Sequence, residues 1–207
     1  MLTLGNTDAF LIRDASGSSY YGGDQHWFGD GKTYRKEAAC GATTCANILG
    51  YLARRHEGLA GLAPYTLHGK DGFIEYMKAV YPFVRPSLIG IMPADFTRGV
   101  EEYSAGLGFE LECEVLAVPA ASLKRPAMDS VCRFLETALA DDLPVAFLNL
   151  SSGRVKNLDG YHWVTLVGLD GESGICRIVD NGRMLDVDLK KWLKRTTLGG
   201  AFVVIEP

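Results

Sequence analysis

From Val145 to the C-terminus the chain reads as a series of short strands, and that succession restricts its fold more than any other feature. Val145 to Leu150 reads as an apolar run, the pattern of a central strand covered on both faces. Tyr161 to Gly168, Ile175 to Asp180, Met184 to Val187 and Ala201 to Ile205 follow, separated by polar or glycine-containing turns. Asn181-Gly182 is the strongest hairpin signal in the chain, because both residues tolerate the positive φ of a tight turn. Strands joined by turns this short pair antiparallel. One short amphipathic helix interrupts them, with Leu189, Trp192 and Leu193 inward and Lys190, Lys191, Lys194 and Arg195 on a solvated face.

The first half has a different period. Cys45, Ile48, Leu49 and Leu52 recur at helical spacing from Cys40 to about Arg55, with a stop near Gly58 and with Arg54, Arg55 and His56 complementing the dipole of the last turn. Phe73, Tyr76, Met77 and Val80 give a second helix that Pro82 ends, and Pro93 with Phe96, Val100 and Tyr103 a third. Ala9 to Ile12 is expected as a short strand, and Asp14 to Gly31 as a loop in which Gln25, His26, Trp27 and Phe28 crowd together. Phe109 to Leu116 alternates apolar and acidic residues like a half-buried strand. Asp129 or Ser130 is expected to cap a helix bearing Val131, Phe134, Leu135, Ala138 and Leu139 on one face. Together these predict a single α+β domain over residues 1–207, with a helical lobe over about 1–108 and a sheet lobe over about 109–207.

With 207 residues and a net charge of −4, the chain has the core of an ordinary soluble domain and no massed basic face, so nucleic acid is not an expected partner. Five cysteines, an odd number with no Cys-x-x-Cys pair, argue against both a disulfide framework and a zinc site. No stretch approaches the roughly 18 apolar residues of a membrane span, and the first residues lack a signal-peptide pattern, so a cytoplasmic location is expected. The histidines show no metal-ligand spacing and no glycine-rich phosphate loop precedes a helix, so no cofactor is expected.

What remains is the chemistry of Cys40. A cysteine at a helix start sits in the partial positive charge of aligned peptides, which favours the reactive thiolate. Such a nucleophile needs a base, and the base an orienter. His162 begins a strand directly after a polar loop, 122 residues beyond Cys40, and suits the first role better than His26, His56 or His68. Asp180, 18 residues further, ends the next strand, where its carboxylate would lie beside the His162 ring; the neighbouring Asn181 is the alternative. Cys45, Cys113 and Cys132 read as core residues.

The order and spacing resemble papain-like cysteine peptidases, in which the corresponding span is roughly 130–150 residues. More narrowly, Cys40-Gly41-Ala42 opening a helix, Leu143-Pro144-Val145, His162-Trp163-Val164 and Ile178-Val179-Asp180 are similar to the branch containing the bacteriocin (double-glycine) leader peptidases. The likeness covers about residues 38–60 and 128–207. It implies a papain-like α+β fold with Cys40 as nucleophile, His162 as general base and acid, Asp180 as orienter and an upstream glutamine as oxyanion donor. Gln25 is the only glutamine in the chain, 15 residues before Cys40. The expected function is a cysteine peptidase or amide hydrolase acting through a thioester on a peptide or amide substrate. A thiol acyltransferase or transglutaminase would use the same residues, and a peptide-binding module of the same fold would give no reason for the trio. The loops Asp14–Gly31 and Ser151–Gly160 are expected to line the cleft. Leu198-Gly199-Gly200 reads as a turn before the last strand.

Overall fold

The computed structural model describes residues 1–29, 38–87 and 90–207. Asp30 and Gly31, the end of the first expected loop, lie outside them. The strand-rich half forms one antiparallel sheet from β4 (Glu112–Val118), β5 (Val145–Asn149), β6 (His162–Asp170), β7 (Ile175–Asp180), β8 (Arg183–Asp188) and β9 (Gly200–Glu206), in the order β4-β9-β5-β6-β7-β8. A seventh strand, β1 (Leu2–Thr3), continues along β6 where β5 has ended, pairing Leu2 with Leu169. The β7–β8 turn has Asn181 at φ 46° and Gly182 at φ 74°, the pair of positive angles that the sequence requires there.

Five helices are present among the described residues: α1 (Cys40–Arg55), α2 (Lys70–Val80), α3 (Pro93–Gly106), α4 (Met128–Ala140) and α5 (Leu189–Arg195). Every residue of α1 from Gly41 to Leu52 is buried, because β6, α2 and the turns before α1 and after it enclose it on all sides. An enclosed helix needs small residues as well as large ones, hence Gly41, Ala42, Ala46 and Gly50 beside Ile48, Leu49 and Leu52. Its far end is anchored by Asp142, which accepts from the Tyr51 hydroxyl (2.5 Å) and the Arg55 guanidinium (3.2 Å). In the sheet, Phe147 stacks on Phe202 at 4.8 Å and Trp192 of α5 meets Phe147 edge-on, so the crossing helix closes one end of the core. This is the α+β organisation that the papain-like resemblance implies: a cysteine-headed helix against an antiparallel sheet.

Some boundaries differ from expectation. Thr7–Phe10 is a 3-10 turn, capped by the Asn6 side chain on the Asp8 N–H, and the strand follows at β2 (Leu11–Arg13). The loop expected after it contains β3 (Ser19–Tyr21), paired with β2. Phe109 is not in β4; its N–H closes the end of α3 on the Ser104 carbonyl. α4 starts at Met128 with Ala127 as its cap, so neither Asp129 nor Ser130 caps it. Ala127 is in extended backbone, and its carbonyl takes the first helical bonds, from the Ser130 and Val131 N–H groups. The Gly199-Gly200 pair is packed inside: a side chain at either would meet the Val118 or Leu148 carbonyl.

Candidate active site

Three element ends meet at one end of the sheet's inner strands. Cys40 opens α1, His162 opens β6 and Asp180 closes β7. His162 Nε2 lies 2.8 Å from Asp180 Oδ1, with both side chains about nine-tenths buried. The Cys40 thiol is the ring's other polar neighbour and acts on its proton affinity. Burial works against a charged imidazole and is the largest single influence. The hydrogen bond that His162 donates to Asp180, the Cys40 sulfur and their charges outweigh it, so the ring is pushed up from 6.5 to about 10. Of the two candidate orienters, Asp180 holds the ring; Asn181 Oδ1 instead accepts the Gln25 N–H at 3.3 Å.

Local sequence explains how these ends converge. A β-carbon at Gly41 would stand 2.7 Å from Ile91 Cγ2 and 3.8 Å from Trp163 Cδ1. Glycine beside the cysteine thus lets the helix start press against Ile91, the residue whose carbonyl holds the Trp163 indole next to His162. Trp163 is itself fixed, stacked on Phe96 of α3 at 4.3 Å and donating from Nε1 to the Ile91 carbonyl at 3.0 Å.

Gln25 begins a 3-10 turn (Gln25–Trp27) capped by Asp24, and it is buried. The preceding Gly22-Gly23 threads between α1, α2 and β7: a side chain on Gly22 (φ 67°) would come within 2.6 Å of Val179, and one on Gly23 within 2.7 Å of Phe73. Gly23 donates to Asn47 Oδ1 at 2.8 Å and accepts from the Gly182 N–H at 3.0 Å, which ties the turn to the helix and to the hairpin after Asp180. Lys70 Nζ, 4.7 Å from the Trp27 ring and 5.1 Å from that of Tyr20, holds its far side. The Gln25 Oε1 atom is buried without a hydrogen-bond partner among the described residues. No hydrogen bond joins Gln25 to Cys40 or His162 among them.

Sequence reading missed two buried amides. Asn149 ends β5 opposite His162 and donates from Nδ2 to the His162 carbonyl at 3.2 Å. Asn47 links the Gln25 segment to β6, donating to Thr165 Oγ1 at 3.3 Å. The signal was a polar residue inside an otherwise apolar run. The remaining histidines are elsewhere: exposed His26 pairs with Asp24, His56 reaches the Asp142 carbonyl, and His68 is exposed. Burial pushes the Cys45, Cys113, Cys132 and Cys176 thiols up, Cys113 to about 12. Among the described residues there is no group of three metal-ligating side chains, and no helix is long and apolar enough to cross a membrane.

No protein-family model and no curated protein matches the chain. Among solved structures it is similar to a double-glycine motif protease from an AMS/PCAT transporter, solved in complex with the leader peptide. That likeness has 15% identity and a TM-score of 0.43 over 81% of this chain and 84% of that one. It is also similar to the N-terminal peptidase C39-like domain of the toxin secretion ATP-binding protein from Vibrio parahaemolyticus, at 13% identity and a TM-score of 0.33 over 79% and 95% of the two chains.

Proposed function

We propose that the protein is a cysteine peptidase or amide hydrolase that works through Cys40, His162 and Asp180. The observation that carries this reading is the His162 ring held between a carboxylate and a thiol. With Nε2 engaged by Asp180, Nδ1 is the nitrogen left to exchange a proton with Cys40. The raised ring favours an imidazolium, and its natural counter-charge is the Cys40 thiolate. The thiolate attacks the substrate carbonyl carbon, and the carbonyl electrons move to oxygen. His162 then gives its proton to the leaving amine as the C–N bond breaks, leaving a thioester. Neutral His162 next takes a proton from water, whose oxygen attacks the thioester; the acid leaves and Cys40 is regenerated. An amine in place of that water would make the same residues an acyltransferase.

Alkylation tests the assignment. Chloroacetamide, followed by intact mass, is expected to modify one thiol much faster than the other four, and Cys40→Ala is expected to remove that phase. An undiminished fast phase in the variant would remove Cys40 from the mechanism.

In this mechanism the tetrahedral oxyanion is met by the Cys40 N–H, at a helix start with no side-chain cap, and by the Gln25 amide. One such donor is worth about 2.7–4 kcal/mol. Gln25→Ala is therefore expected to lower kcat by on the order of 10²–10³-fold, with the rate of Cys40 alkylation nearly unchanged. A loss of both together would show that Gln25 only supports the fold.

A further inference from the structure

The loop that delivers His162 also builds a second feature. A cavity of about 510 Å³ is lined by Ser151, Ser152, Gly153, Arg154, Arg195 and Thr197, within the size range of small-ligand sites. Its lining holds two guanidinium groups and no carboxylate. Neither Arg154 nor Arg195 has a hydrogen bond or ion pair for its side chain among the described residues. Of the acids nearby in sequence, Asp186 pairs with Arg177 at 2.9 Å and Asp188 caps α5, while Asp159 is exposed and is not part of the lining. Arg125 adds a third positive charge behind the cavity. Its guanidinium donates to the carbonyls of Leu193 (3.0 Å) and Thr196 (2.6 Å) and pairs with no acid among the described residues.

The cavity walls are fixed before any ligand arrives. Ser151 Oγ accepts the Thr197 N–H at 2.8 Å, and its carbonyl accepts Trp192 Nε1 at 3.0 Å. Gly153 (φ 60°) packs so closely that a β-carbon would stand 3.2 Å from the Thr196 nitrogen. Two guanidiniums lining one cavity, with Ser152 and Thr197 in the same lining, suit a carboxylate, which arginine binds through paired N–H donors.

Position then says which part of a substrate carries that carboxylate. A β-carbon at Gly160 would lie 3.5 Å from Ser151 Cα and 3.6 Å from the Ser152 nitrogen, so the cavity rim touches the residue two before His162. Two residues of chain cover about 7 Å, which places the rim roughly 10 Å from His162, the length of about three extended peptide residues. Tyr161, 67% exposed and in the left-handed region at φ 53°, stands on the way. His162 protonates the departing amine in the mechanism above, so groups on its loop face the leaving side. We infer that the Arg154–Arg195 cavity is a subsite for a carboxylate on the leaving-group side of the scissile bond, within about three residues of it. This rests on the Cys40–His162 reading for its direction, and on the cavity alone for its ligand.

The test uses the full chain carrying Cys40→Ala, so that binding is read without turnover. Acetyl-triglycine as the free acid, the same peptide as its C-terminal amide, and acetyl-Gly-Asp-Gly amide are titrated while the amide NMR signals of residues 151–154 and 195–197 are followed. The free acid is expected to bind at least about tenfold more tightly than its amide, and Arg154→Gln/Arg195→Gln to abolish that difference. Tighter binding of the aspartyl peptide than of the free acid would assign the subsite to an acidic side chain, the reverse to a chain terminus; both support a carboxylate subsite. Equal binding of acid and amide, a preference that survives the double substitution, or stronger saturation by inorganic phosphate than by either carboxylate would overturn it. Cys40 alkylation in the double variant, made in the wild-type background, is expected at the wild-type rate. Failure of selective alkylation counts against the catalytic reading, and failure of the titration against the subsite.

Discussion

His162→Ala is expected to abolish hydrolysis, lowering kcat by on the order of 10⁶-fold on whichever peptide the wild-type protein cleaves fastest from a mixed library. In the proposed mechanism the ring has two tasks in sequence. It keeps the sulfur ionised as its imidazolium partner, then hands its proton to an amine that cannot leave as an anion. Alanine removes both, and no other described histidine is placed to substitute: His26, His56 and His68 are engaged or exposed elsewhere. Alkylation should fall as well, since Cys40 loses its counter-charge, but by far less than turnover, because alkylation needs no proton donor. That split between two rates is the diagnostic. A variant that hydrolysed peptides at more than a hundredth of the wild-type rate would place the base elsewhere. One whose alkylation did not change at any pH would show that the sulfur and the ring are not coupled.

Much of this site was legible because each residue of the proposed triad sits where a period breaks. Cys40 begins a helical repeat, His162 follows a polar loop into an apolar run, and Asp180 precedes the Asn181-Gly182 turn. Ends of elements are visible in a sequence, and the start of one strand and the end of its antiparallel neighbour lie side by side. Which of Asp180 and Asn181 meets the ring was not legible, since neighbours in sequence differ only in the direction of their side chains. The approach of Gln25 was hidden for another reason. Its path depends on two glycines that fit between α1, α2 and Val179, contacts among residues distant in sequence. Helix α4 shows the limit of local rules: two good capping residues were available, and the helix starts ahead of both, at Met128, with Asp129 inside its first turn.

The role of Asp180 can be divided between its charge and its geometry by two substitutions. Asp180→Ala removes both and is expected to cost on the order of 10³–10⁴-fold in kcat/KM, since the ring is then free to turn away from Cys40. Asp180→Asn keeps an oxygen that accepts the Nε2 proton, and an imidazolium carries a proton on both nitrogens, so the ring stays in place. Its activity near pH 6 is expected within about tenfold of wild type, in keeping with sites that use asparagine as the orienter. The pH profile should change more than the rate. In the wild-type protein the competent ion pair is lost on the alkaline side when His162 gives up its proton, at a pH of about 10. Burial pulls the ring down, and the Asp180 hydrogen bond and charge hold it up. Without the negative charge the balance tips toward burial, so the alkaline limb moves to lower pH in Asp180→Asn. Stability follows the same sign. A ring raised above its unfolded value stabilises the fold fully below pH 6.5 and loses that contribution as pH rises through about 10. The variant is therefore expected to lose stability relative to wild type most strongly at acidic to neutral pH, with the difference closing above pH 10. An alkaline limb that did not move in Asp180→Asn would mean that the ring is held up by Cys40 alone, and Asp180 would then act only by position.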